Sequence, residues 1–166
     1  GLFIAEFLSL SKGEEGFLFP DTYLLAKTQT ASGALKILKT TFERRVDQKL
    51  LLDASLSGLS LVEVITLASI IERETKTDFE RPVVSGILLN RLKIGMALQA
   101  DATVQYAAAG ARCKVQGARC QWWQPVSRED LQINSSYNTY KFSGLPPGPI
   151  ASPGLSSIKA AVYPES

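Results

Sequence analysis

The chain has 166 residues and a mass of 18.0 kDa, enough for one ordinary domain or one domain with a short appendage. Apolar types make up 45% and charged types 20%, too apolar a mixture for a disordered tail, and a formal net charge of +2 gives no electrostatic case for nucleic acid. There is no histidine, which excludes Ser-His and Cys-His nucleophilic sites and zinc sites built on imidazole.

Any proton transfer therefore falls to carboxylates, tyrosine, lysine, arginine or cysteine. The two cysteines, Cys113 and Cys120, cannot alone close a four-ligand metal site. Leu2 to Leu10 is apolar but interrupted by Glu6, and too short to span a bilayer. A start at Gly1 and a stop at Ser166 read as the ends of a fragment, with residues 1–14 a connector and 15–166 the working domain. Residues 11–16, SKGEEG, read as a turn. Phe17 to Ala26 reads as an extended piece broken at Pro20-Asp21. From Ser32 to Leu52, apolar residues at spacings of three and four predict one helix with a basic outer face, followed by a loop, DASLSG.

Ser60 and Glu63 form a capping box just ahead of LVEVITLASIIERET, the best-signalled helix of the chain. Another helix is expected from Phe79 or Glu80 to Leu92, with Pro82 tolerated in its first turn and Gly95 ending it. Gln99, Asp101 and Thr103 alternate as in a short extended run, which would put their side chains on one face. A proline-rich stretch interleaved with Leu145, Ile150 and Leu155 reads as rigid coil, and a last helix spans Leu155 to Val162. Helices mixed with short, irregular strands predict an α+β fold.

On the Ser60 helix, Leu61, Val64, Ile65, Ala68 and Ile71 define an apolar arc. Glu72 falls inside one edge of that arc and Glu74 near its other limit. A carboxylate on a core-facing stripe is costly unless paired or protonated, and the carbonyl end of the helix disfavours negative charge there. The neutral carboxyl so favoured is what a general acid requires. The plainer reading pairs Glu72 with Arg73, Arg81 or Arg91.

The runs EGFLFPDTY (15–23), ASIIERET (68–75), ERP (80–82), NRL (90–92), GMALQADATVQY (95–106), YNTY (137–140) and GLPPGPIASPG (144–154) occur in that order. Together they closely resemble the YceG-like family, the endolytic murein transglycosylases of bacteria. The resemblance covers nearly all of the chain from Glu15 to Pro164. It implies an enzyme that cuts the β-1,4 bond between N-acetylmuramic acid and N-acetylglucosamine in peptidoglycan, leaving 1,6-anhydro ends. Glu72, the first glutamate of its motif, would be the catalytic acid/base. Lytic cleavage uses the sugar's own C6 hydroxyl as nucleophile, so one carboxyl suffices where a hydrolase needs two, and neither metal nor cofactor is called for.

The resemblance also points to Gln99, Asp101, Thr103, Tyr137, Asn138 and Tyr140 as substrate-binding residues, with amide, carboxyl and phenol groups for sugars and flat faces for pyranose rings. Asp101 is the natural second carboxylate, although a turn-forming aspartate is its plainer reading, and a core tyrosine is the plainer reading of Tyr140. The GLPPGPI loop would serve as a stiff wall, and Arg91 as a partner for a carboxylate. Peptidoglycan strands are the implied partner, with cell-wall synthases another. The implied location is the extracytoplasmic face of the bacterial cell membrane. Family members carry a membrane helix and a LysM-like subdomain before this region, and a strand and helix after it.

This sequence departs from the family in having Ala102 where proline is frequent, and in the unmatched segment Ala111 to Gln124. Within that segment, the implied compartment makes a Cys113–Cys120 disulfide reasonable, with free thiols the alternative. Trp122-Trp123 would present one exposed ring to glycan or membrane, or one ring would cover the other. Two further functions stay open on the sequence: a hydrolytic muramidase using Glu72 and Asp101, and a non-catalytic glycan-binding or scaffold module.

Overall fold

The protein is described from a computed structural model, covering residues 2–116 and 121–165. Seven α-helices appear among the described residues: α1 (Leu2–Leu10), α2 (Ala31–Arg45), α3 (Gln48–Leu56), α4 (Leu61–Glu74), α5 (Arg81–Lys93), α6 (Asp101–Gln116) and α7 (Leu155–Val162). Among the described residues a 3-10 turn spans Asp130–Gln132. No strand occurs among them, so the expected α+β fold is corrected to a helical one. Phe17 to Ala26, read as extended, is coil, and the proline-rich stretch is coil as expected. Their backbone groups are met locally or by side chains rather than by a ladder: Tyr23 Oη donates to Phe19 O at 2.7 Å, and Ile150 N donates to Ser69 Oγ at 3.0 Å.

Two other expectations change. The helix read across 32–52 is two helices, because the Asp47 side chain accepts from Leu50 N at 2.9 Å and starts α3 afresh. Much of DASLSG is therefore helical, to Leu56. The run from Gln99 to Thr103 is not extended: Asp101 is the first residue of α6, an acidic group suited to a helix N-terminus.

Helix α4 is the axis of the molecule. Every residue from Val64 to Ile71 is buried, as befits a helix enclosed on all sides. Helix α7 packs along it most extensively, with α3, α5 and α6 on its other flanks. The capping box is present as read: Glu63 N donates to Ser60 Oγ, and Ser60 N donates to Glu63 Oε2 at 2.8 Å. Ser60→Ala is expected to cost about 1 kcal/mol, read as a shift in denaturant midpoint. Helix α1 packs on α2, leaving Ile4 and Leu8 exposed. No single helix among the described residues is long and apolar enough to cross a membrane.

Candidate active site

Helix α4 carries its two terminal carboxylates to different flanks. Glu72 and Glu74 stand two residues apart, roughly 200° around the helix. Glu72 turns toward α7. Its Oε2 accepts from Gly154 N at 3.0 Å and from Ser157 Oγ at 2.7 Å, which places a carboxylate at the α7 N-terminus. Its Oε1 lies 3.6 Å from Arg81 Nη2, and Arg81 Nε donates to Ser157 Oγ at 2.8 Å. Arg81 is also paired with Asp78. Oε2 of Glu72 thus holds α7 against α4, while Oε1 faces the Arg81 guanidinium of α5 without a hydrogen bond.

Glu74 turns toward α6 and is exposed. Its Oε1 accepts from Ala102 N at 3.1 Å. Among the described residues its second oxygen takes no hydrogen bond, and the side chain lines a cavity of about 220 Å³ with Arg91, Leu98, Gln99 and Ala100. Among the described residues Arg91 pairs with no carboxylate, unlike the expectation; its guanidinium donates to Leu98 O and steadies the cavity wall. Gln99 is exposed, and its backbone sits in the left-handed region, φ 53°, which is uncommon for a residue with a Cβ.

That strained turn is held from the 137–140 segment. Gln99 N donates to Thr139 O at 3.1 Å and Ala100 N to Thr139 Oγ1 at 3.1 Å. Thr103 and Thr139 share a hydroxyl–hydroxyl bond at 2.8 Å, and Thr103 Oγ1 also donates to Ala100 O. Thr103 is 0% exposed, so it braces the turn from behind. Asn138 is equally buried: its Nδ2 donates to Leu131 O and Ile133 O, and its Oδ1 accepts from Tyr140 N. Neither side chain faces solvent, and both brace the turn from within.

Tyr140 and Asp101 do meet. The phenol donates to Asp101 Oδ1 at 2.6 Å, and this bond, with burial, pushes the Tyr140 phenol up to about 12. It therefore stays a neutral donor at physiological pH. Tyr137 lies elsewhere, its ring 4.9 Å from that of Tyr106, on a separate cavity. The sites read from sequence accordingly divide: Gln99, Asp101 and Tyr140 gather near Glu74, Tyr137 opens on the second cavity, Thr103 and Asn138 are internal, and Glu72 serves α7.

Beyond α6, Trp122 packs on Tyr106 at 5.7 Å and is 40% exposed, while Arg73 lies over the Trp123 ring at 3.8 Å. The Cys113–Cys120 pairing involves Cys120, which lies outside the described residues. Among the described residues no cluster of three metal-ligating side chains occurs.

The model of the YceG-like family matches residues 4–166. An endolytic murein transglycosylase of Bacillus subtilis (strain 168) is 36% identical over 153 residues, 91% of this chain and 39% of that protein. The enzyme of the same name from Streptococcus pneumoniae (strain D39) is 32% identical over 158 residues, 89% of this chain and 26% of that protein. The crystal structure of a yceG-like protein from Listeria monocytogenes superposes with a TM-score of 0.78 at 30% identity, over 99% of this chain and 55% of that one. The chain thus spans well under half the length of these two curated relatives and about half of the Listeria chain.

Proposed function

The chain belongs to the YceG-like family, and from that premise we propose that it is the catalytic region of an endolytic peptidoglycan transglycosylase whose acid/base is Glu74. The observation that carries the assignment is the open Glu74 carboxyl at a cavity shared with Gln99 and Arg91, beside the Asp101–Tyr140 pair. Glu72, first in the motif, has Oε2 bonded twice to the α7 end and Oε1 facing Arg81 at 3.6 Å.

In this mechanism the Glu74 carboxyl donates its proton to the glycosidic oxygen as the bond from the muramic C1 breaks. Positive charge develops at C1. The Asp101 carboxyl, steadied by the Tyr140 phenol, supplies compensating negative charge. The C6 hydroxyl oxygen of the same sugar then bonds to C1, closing the 1,6-anhydro ring, and Glu74 takes the hydroxyl proton. The net reaction consumes no water, and the enzyme ends in its starting protonation state. The Ala102 N–H fixes one Glu74 oxygen, so the other can serve both transfers from one place. The Gln99 amide, presented by its strained backbone, is suited to an acetamido group.

Support for a cell-wall substrate comes from the names of the relatives; action outside the cytoplasm, a membrane-anchored parent and engagement with cell-wall synthases are parts of the same reading. Mass spectrometry of digested glycan strands tests it. Fragments lighter by one water than reducing-end products are expected. Reducing ends alone would transfer the reading to a hydrolase with Asp101 activating water, and no cleavage at all would favour a binding module.

A further inference from the structure

The cavity beside Tyr137 has no part in the chemistry above, yet it is the more polar and the larger of the two, about 440 Å³. Tyr106 and Tyr137 form one wall, their rings inclined by 42°, and Pro147, Gly148 and Pro149 another. Glu15 and Lys12, both exposed, stand at its rim. Trp122 extends the aromatic surface beyond Tyr106.

We propose that this cavity is a second saccharide site, taking one N-acetylated aminosugar ring of a glycan strand against the phenol faces, with its hydroxyl and acetamido groups on Glu15 and Lys12. The chemistry on the walls selects this ligand. Flat aromatic faces suit the apolar face of a pyranose, while a carboxyl, an ammonium and two phenols suit its polar edge. Desolvation pushes the Tyr106 phenol up to about 12, and Tyr137 moves the same way, so both remain neutral donors. The Glu15 carboxyl, closed in on its inner side, is likewise held above its ordinary value.

The two cavities are built on the same elements. Tyr106 stands five residues beyond Asp101 on α6, about 7.5 Å along the axis at roughly 1.5 Å per residue. The 137–140 turn supplies Tyr140 to Asp101 and Tyr137 to this cavity. One helix and one turn thus carry side chains to both cavities.

The inference rests on glycan being the substrate but not on the lytic step, so its test is binding. The β-1,4-linked trimer of N-acetylglucosamine serves as the probe, followed by backbone-amide NMR in wild type, Glu15→Gln and Lys12→Ala. Shifts at Gly13–Phe17, Tyr106, Tyr137 and Gly148 are expected, with binding about tenfold weaker in Glu15→Gln, the loss of one charge-assisted hydrogen bond. Lys12→Ala, at an exposed position, is expected to weaken binding in the same direction. Shifts confined to the Glu74 cavity, no binding, or wild-type affinity in both variants would overturn the proposal. Product masses decide the lytic reading separately, so either can fail alone.

Discussion

Glu74→Gln removes the proton carrier of the proposed cleavage and is expected to lower the rate of anhydro-product formation about 10²–10⁴-fold, the usual contribution of a general acid–base group. The fold should be spared, because the glutamine amide oxygen can still accept from Ala102 N. Glu72→Gln is expected to behave in the opposite way. It replaces a carboxylate that accepts from Gly154 N and Ser157 Oγ and faces a largely buried Arg81. The neutral amide weakens that arrangement, at a cost of about 1–3 kcal/mol seen as a lower Tm, with cleavage per folded molecule within a few-fold of wild type. Product mass spectrometry and thermal unfolding on both variants separate the roles. Loss of cleavage in Glu72→Gln with activity kept in Glu74→Gln would return the acid/base to Glu72 and end the assignment made from geometry.

The contrast between these neighbours shows how far the sequence could lead. Features written in a few adjacent residues were legible: the Ser60–Glu63 capping box, Pro82 inside the first turn of α5, and the α7 span all match the structure. The ordered series of motifs was legible too, and it carries the family. Alternation across Gln99, Asp101 and Thr103 misled because five residues cannot separate a strand from a left-handed turn feeding a helix; the acidic Asp101 ahead of an alanine-rich run was the signal for the latter. Asp47, a good N-cap, was hidden by apolar spacings that continue across the break. The choice between Glu72 and Glu74 lay beyond reach. Helical periodicity puts both at the limits of the apolar arc, whereas their partners, Gly154 and Ala102, come from 82 and 28 residues away. Tertiary placement of α7 and α6 decides which carboxyl is occupied and which is open.

Gly16→Ala is expected to damage the fold strongly, for reasons that also explain why the Glu15 cavity exists. Gly16 has φ 90°, a conformation that costs a side-chain-bearing residue about 1–2 kcal/mol. An added Cβ would lie 2.5 Å from Pro149 Cγ and 2.7 Å from Ile65 Cγ2. Neither neighbour can yield cheaply. Ile65 is 0% exposed on the central face of α4, and Pro149 precedes Ile150, whose N–H is tied to Ser69 Oγ. Overpacking of this kind adds about 1–3 kcal/mol, so the total is about 2–5 kcal/mol against a stability of order 5–15. At about 2–4 °C per kcal/mol for a chain of this size, Tm should fall by about 4–20 °C. Gly13→Ala is the control, since its φ is 82° and nothing lies within 4 Å of an added Cβ. It should show the backbone cost alone. An equal fall in the two variants would mean that the close approach of residue 16 to the 147–149 wall contributes nothing. A larger fall in Gly16→Ala would show that glycine there lets the 13–17 turn close against Pro149, which brings Glu15 to the rim shared with Tyr106 and Tyr137.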